Sequence, residues 1–131
     1  MRVVAFDTNV FVRVLVGDDP VQTKKAERAF VRHANGDGVV LSVMVLCEIA
    51  WVLAAAYRWD RATLRARLQR LVRTRGVVVE ELENVEAALD AFATGKADLA
   101  DYLIAGHARA AGQELFTFDK RLAREKLATL L

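Results

Sequence analysis

A chain of 131 residues is long enough to bury a real core and short enough to be one domain, residues 1–131. At 54% hydrophobic and 27% charged, the composition is globular, which excludes a disordered chain. Lys and Arg number 19 against 17 Asp and Glu, and an excess of +2 is too small to argue for nucleic acid from net charge alone.

Short β-branched or aromatic runs alternate with longer helical patterns. Val3-Val4-Ala5-Phe6 reads as a buried strand, followed by a helix over about 8–15. Gly17-Asp18-Asp19-Pro20 is a break carrying a helix start, since Asp19 can cap and Pro20 suits the first helical position. That helix reaches about residue 33, and Asn35-Gly36-Asp37-Gly38 turns the chain. Val39-Val40-Leu41 is a second strand, with Ser42 the N-cap of a helix to about residue 57. Asp60 opens an arginine-rich amphipathic helix with Leu64, Leu68, Leu71 and Val72 on its inner face. Gly76 ends it, and Val77-Val78-Val79 is the third strand. A helix over about 85–94, a loop at Gly95-Lys96 and a helix over about 98–111 follow, with Gly112 at the last helix's end. Leu115-Phe116-Thr117 is the fourth strand, and a short helix follows Lys120. This alternation predicts an α/β fold, a three-layer α/β/α sandwich with a central parallel sheet of four to five strands, the last in residues 126–131 if it forms.

The single Cys47 excludes an internal disulfide and fits a reducing, cytoplasmic setting. No signal peptide is expected, because Met1-Arg2 leads straight into the first strand. Residues 39–57 are polar only at Ser42 and Glu48 and are long enough to span a bilayer. An acid at the centre of a spanning helix costs roughly 2.5–3.5 kcal/mol, and Ser42 divides a β-branched half from a helix-forming half, so no membrane segment is expected. Positive charge is concentrated. Arg61, Arg65, Arg67, Arg70, Arg73 and Arg75 crowd one helical stretch, and Lys120, Arg121, Arg124 and Lys126 crowd the tail.

Four carboxylates carry the chemical signal: Asp7 in FDTNV, Glu48 in LCEIAW, Asp101 in ADLADYLI and Asp119 in LFTFDK. Each lies against apolar residues, where an unpaired negative charge is costly. Ligands of parallel sheets bind beyond the carboxyl ends of the strands, and Asp7 follows the first strand as Asp119 follows the fourth. Both are therefore expected on one edge. Four such charges meeting there would repel one another unless a divalent cation sat among them. Oxygen-only ligands suit Mg²⁺, with Mn²⁺ the alternative.

Structural readings stand beside this one. Asp7 and Asp98 can each serve as an N-cap, and Asp119 as a turn residue. Asp98 and Asp101 share a face at a helix N-terminus, where backbone N–H groups and the dipole favour negative charge. Glu48 has Met44, Val45, Trp51 and Val52 as its helix neighbours, so a buried Glu48 needs a partner from elsewhere. His33, Cys47 and His107 lack zinc-ligand spacing, and His107 reads as a surface or packing residue.

Together these segments resemble the PIN-domain nucleases, and most closely the VapC toxins of bacterial toxin–antitoxin pairs. FDTNV resembles the first family motif, LSVMVLCEIAWVL the second, GKADLADYLIAGHARAAG the third and LFTFDK the fourth. The resemblance covers nearly the whole chain. It implies a Mg²⁺-dependent endoribonuclease in which Asp7, Glu48, Asp101 and Asp119 are the catalytic acids and metal ligands. Asp98 would be an accessory ligand or hydrogen-bond acceptor, and Thr8, Asn9 and Thr117 would shape the pocket. ADLAD offers two aspartates, so which meets metal first stays open. Metal-activated water would hydrolyse an RNA phosphodiester, with Arg13, Lys96 and Lys120 as candidates to hold the phosphate backbone. The resemblance further implies a homodimer and a small VapB-like antitoxin that wraps the toxin and blocks the pocket. Trp51, Tyr57 and Trp59 either line a partner groove or pack in the core.

Two other classes compete. A phosphoacceptor signalling domain expects an acceptor Asp after the third strand, where this chain has Val79-Glu80-Glu81, and a haloacid-dehalogenase-like phosphatase wants an Asp where this chain has Asn9. A non-catalytic RNA- or protein-binding module would use the acids only for internal hydrogen bonds, and a divalent-metal titration separates it.

Overall fold

Side chains that accept from the backbone N–H three residues ahead start three of the helices. Asp19 Oδ1 accepts from Gln22 N at 3.0 Å, Ser42 Oγ from Val45 N at 3.2 Å and Asp60 Oδ1 from Thr63 N at 2.7 Å. Pro20 occupies the first position of its helix, where a missing N–H costs nothing. The computed structural model describes residues 2–131, and the chain forms two compact units, Met1–Glu80 and Glu81–Leu131.

In the first unit the elements run β1 (Val4–Ala5), α1 (Thr8–Val16), α2 (Pro20–Ala34), β2 (Val39–Leu41), α3 (Val43–Ala55), α4 (Arg61–Val72) and β3 (Val77–Val79). The strands form one parallel sheet in the order β1-β2-β3, with Val4 opposite Val39 and Val39 opposite Val77. Phe11, Leu41, Leu46, Ile49, Leu53, Leu64 and Leu68 are fully buried. Truncating such a leucine or isoleucine to alanine costs about 2–5 kcal/mol. Gly76 is required for two reasons: its φ is +89°, and a Cβ there would lie 2.1 Å from the Ala34 carbonyl oxygen. Its own carbonyl accepts from Val39 N at 2.8 Å, tying the entry of β3 to the entry of β2. Not all of the arginine-rich helix faces solvent. Arg67 donates to the Leu15 carbonyl at 2.7 Å and lies over the Trp59 ring, 5.0 Å from its centroid.

The second unit comprises α5 (Leu82–Thr94), α6 (Leu99–Ala110), β4 (Phe116–Thr117), α7 (Lys120–Arg124) and β5 (Thr129–Leu130). Helices α5 and α6 pack through Val85, Leu89, Leu99 and Leu103, all buried. They approach closely at Gly106, where a Cβ would meet Asn84 Oδ1 at 1.9 Å, and Asn84 Nδ2 donates across to the Leu103 carbonyl at 3.0 Å. Strand β4 pairs in parallel with β5, Phe116 opposite Thr129, through the short crossover α7.

The expected central sheet of four to five strands is corrected to a three-stranded parallel sheet in one unit and a two-stranded parallel pair in the other. A short apolar run shows that a strand forms, but its side-chain pattern does not say which strand lies beside it. The segment 126–131 does supply a strand, β5, and α5 begins at Leu82, earlier than residue 85. Among the described residues no helix is long and apolar enough to cross a membrane. The apolar stretch 39–57 is divided by the Ser42 cap into β2 and α3.

Candidate active site

The C-terminal ends of β1, β2 and β3 lie on one edge of the parallel sheet, and the residues just beyond them are Asp7, Ser42 and Glu80. Asp7 is the N-cap of α1, and its Oδ1 accepts from Thr8 N at 2.8 Å. Thr8 is 3% exposed, and its hydroxyl donates to Glu48 Oε1. One buried threonine thus ties together an acid from the first sequence motif and an acid from the second. Asn9 is exposed on the first turn of α1.

Glu48 corrects the sequence reading. Its apolar helix neighbours Met44, Val45, Trp51 and Val52 predict a buried carboxylate. It lies instead on the outer face of α3, in line with Met44 at 81% and Trp51 at 70% exposure. Leu46, Ile49, Ala50 and Leu53 form the buried face of the helix. The helix is apolar nearly all round, so its composition did not reveal which face turns inward. Asp7 and Asp98 are exposed as well, and Asp101 and Asp119 are half-buried.

Sequence reasoning passed over Glu80 as a site residue. Its N–H donates to the Leu41 carbonyl at 3.1 Å, and its Oε1 accepts from Val43 N at 3.3 Å, steadying the start of α3 from the end of β3. The available signal was an acid directly after a strand, the same placement that marked Asp7.

In the second unit Asp98 is the N-cap of α6, and Asp101 Oδ2 reaches back to accept from Asp98 N at 3.1 Å. Thr117 Oγ1 accepts from Asp119 N at 2.9 Å, fixing the turn that leaves β4. Asp119 caps α7, its Oδ1 accepting from Arg121 N at 2.8 Å, and it also forms an ion pair with the Arg121 side chain at 3.1 Å. These contacts hold the Asp119 carboxyl below the usual carboxylate range, mainly through the side-chain hydrogen bond from Arg121. Asp119 in turn raises Arg121, with Asp98 and Asp101 adding to the field at the guanidinium.

A hydrogen-bonded cluster fixes the loop that delivers Asp98. Tyr102 Oη donates to Glu125 Oε1 at 2.5 Å, and Ala97 N donates to Glu125 Oε2 at 3.1 Å. The loop before α6 is thereby fastened to the end of α7.

Several candidates have other work. Arg13 donates to Gln22 Oε1 at 2.7 Å and pairs with Asp18 at 3.5 Å, which braces the α1–α2 corner. Lys96 and Lys120 are exposed. Tyr57 donates to Asp18 and Trp59 lies under Arg67, which leaves Trp51 the most outward of the three aromatics considered for a partner groove. His107 Nδ1 lies 2.8 Å from Glu81 Oε1 and is exposed, as expected for a surface residue. Burial pushes the Cys47 thiol up, away from reactivity.

The donors are all oxygens, a set that fits a hard divalent cation and not zinc. Their present arrangement is less complete: among the described residues no three His, Cys, Asp or Glu side chains are gathered closely enough to hold a metal ion. In the second unit the cation paired with Asp119 is Arg121. No curated protein matches the chain. Residues 4–126 match the PIN domain family, a span that holds all five acids together with Thr8, Asn9 and Thr117, and the chain belongs to that family.

Proposed function

We propose that this chain is a Mg²⁺-dependent endoribonuclease, with Mn²⁺ able to substitute, that acts in the cytoplasm as the toxin of a toxin–antitoxin pair. In this reading residues 1–131 work as one PIN domain. PIN domains are generally metal-dependent nucleases, and the match over residues 4–126 is the observation that carries the reading. Asp7, Glu48, Asp101 and Asp119 would hold the metal, with Asp98 as an accessory. A bound divalent ion supplies Lewis acidity at phosphorus and an acidified water.

The chain's own residues do the positioning. Thr8 directs Glu48 through its hydroxyl, Thr117 sets the backbone angle at Asp119, and the Asp98 N–H orients Asp101. Exposed Lys96 and Lys120 are available to RNA phosphates. The toxin role, a homodimer and a VapB-like antitoxin rest on the motif resemblance, and the outward Met44 and Trp51 beside Glu48 offer such a partner apolar surface.

Incubation of the purified chain with total RNA, with and without Mg²⁺, tests the reading. Cleavage should require the metal and disappear in Asp7→Asn and Asp101→Asn while both variants keep their folded circular dichroism spectrum. Full activity in both variants would remove the mechanism. Expression of the chain alone should slow growth, with relief by the antitoxin. A non-catalytic binding module is the second reading, favoured by the internal hydrogen bonds that Asp7, Glu48, Asp101 and Asp119 all make. It predicts no calorimetric response to Mg²⁺ or Mn²⁺.

A further inference from the structure

We propose that Arg121 is the built-in counter-ion of Asp119 and competes with a divalent cation for it. The inference rests on the metal-binding reading above and adds a residue that opposes metal loading.

Arg121 grips Asp119 with both arms of its side chain, Nη2 to Oδ2 at 3.1 Å and Nε to Oδ1 at 3.4 Å. Its own backbone N–H also donates to Oδ1 at 2.8 Å. A guanidinium in this fork directs its donors along the lone pairs that a metal ion would use. Two cations cannot share those oxygens without repelling each other. The grip is also anchored. Arg121 stands in α7, which is pinned by buried Leu122 and, at its end, by the bonds of Glu125 to Tyr102 and Ala97.

For a divalent ion to take Asp119, the arginine fork must let go. An exposed pair of this kind is weak, so the competition should be worth only about two- to fivefold in metal affinity. That weakness suits a counter-ion that yields when metal and substrate arrive.

The test is calorimetric titration of MnCl₂ into the full chain at low ionic strength, for the parent, Arg121→Gln, Arg121→Lys and the double variant Arg121→Gln/Asp119→Asn. Melting curves with and without Mn²⁺ report on folding. Arg121→Gln should bind Mn²⁺ about two- to fivefold more tightly than the parent. It should also melt lower without metal and gain more on its addition. Arg121→Lys keeps the charge but loses the fork, so it should fall between them. The double variant should lose the gain, because Arg121 acts through Asp119. Equal or weaker Mn²⁺ binding by a folded Arg121→Gln overturns the assignment and leaves the metal reading intact. No binding by any variant removes both.

Discussion

Replacing Gly95 with alanine tests how the third sequence motif is fastened. The backbone there has φ −87°, which any residue adopts, so glycine is required by space alone. An added Cβ would lie 1.7 Å from Tyr102 Oη, 2.8 Å from Tyr102 Cζ and 2.6 Å from Glu125 Oε1. Tyr102 is only 5% exposed and cannot swing away freely. The hydroxyl must be displaced, and its 2.5 Å bond to Glu125 goes with it. Overpacking a tight site costs about 1–3 kcal/mol, and losing a hydrogen bond to a charged group about 1.5–3 kcal/mol. Together they approach about 3–5 kcal/mol, against a total stability of about 5–15 kcal/mol. At roughly 3–5 °C per kcal/mol for a chain of this size, the melting temperature should fall by about 9–25 °C.

Urea and thermal unfolding followed by circular dichroism measure the cost. Tyr102→Phe alone should lose about 1.5–3 kcal/mol, the hydrogen-bond part only. Because both substitutions strike the same hydroxyl, the double variant should cost less than the sum, by about 1–3 kcal/mol. Since Asp98 begins α6 directly after this loop, the Mn²⁺ response should weaken in step with the lost stability. A Gly95→Ala chain within about 0.5 kcal/mol of the parent, inside the range of ordinary surface changes, would refute the reasoning. Strict additivity in the double variant would do the same.

Thr8→Val keeps the volume but removes the hydroxyl that holds Glu48. Its folded spectrum should persist while Mn²⁺ affinity and cleavage fall; unchanged metal binding would show that Glu48 needs no such support. Gly76→Ala faces both the positive φ and the Ala34 carbonyl, so it should destabilise the chain by more than the roughly 1 kcal/mol usual for Gly and Ala exchanges, read from its urea midpoint. The Asp60 and Asp119 carboxyls are depressed in the folded chain, Asp60 chiefly by the Thr63 backbone and Asp119 chiefly by the Arg121 side chain. Their stabilisation is present above the unfolded carboxylate value of about 3.9 and is lost as pH falls through the lower folded values. Asp119→Asn should therefore flatten the acid limb of a pH–stability profile, and an unchanged limb would argue against the ion pair in solution.

The helix starts were legible because their signals are local. Asp19, Ser42 and Asp60 announce caps by residue type and by the apolar spacing after them, and all three cap in the structure. Pairing was less legible, because β1, β4 and β5 are each two residues long and carry no pattern that names a neighbour. The exposure of Glu48 was hidden by a helix apolar on nearly every face. In the sequence Arg121 is one of four basic residues in the tail, and nothing there marks its pairing with Asp119. Residues two apart do not face each other within a helix, but Asp119 is an N-cap in extended geometry, φ −83° and ψ 112°. From that position a side chain overhangs the first turn, and the side chain of the second helical residue comes within its reach.

The capping and catalytic readings of these acids are compatible, and the cap contacts show why. Asp7 Oδ1 accepts from Thr8 N, Asp101 Oδ2 from Asp98 N and Asp119 Oδ1 from Arg121 N, each a carboxylate taking a backbone hydrogen bond at a helix start. A carboxylate offers about four acceptor sites on its two oxygens. One backbone bond therefore fixes the direction of the group without exhausting it. An acid held in this way has already given up the rotamer freedom that a loose side chain loses on binding a cation. Glu48 follows the same logic with a hydroxyl in place of a backbone donor, which a mid-helix position cannot supply because its own N–H groups are already used. If caps served stability alone, Asp7→Asn and Asp101→Asn would show their whole effect in the melting temperature. As oriented ligands, these carboxylates should reveal themselves mainly in the metal titration.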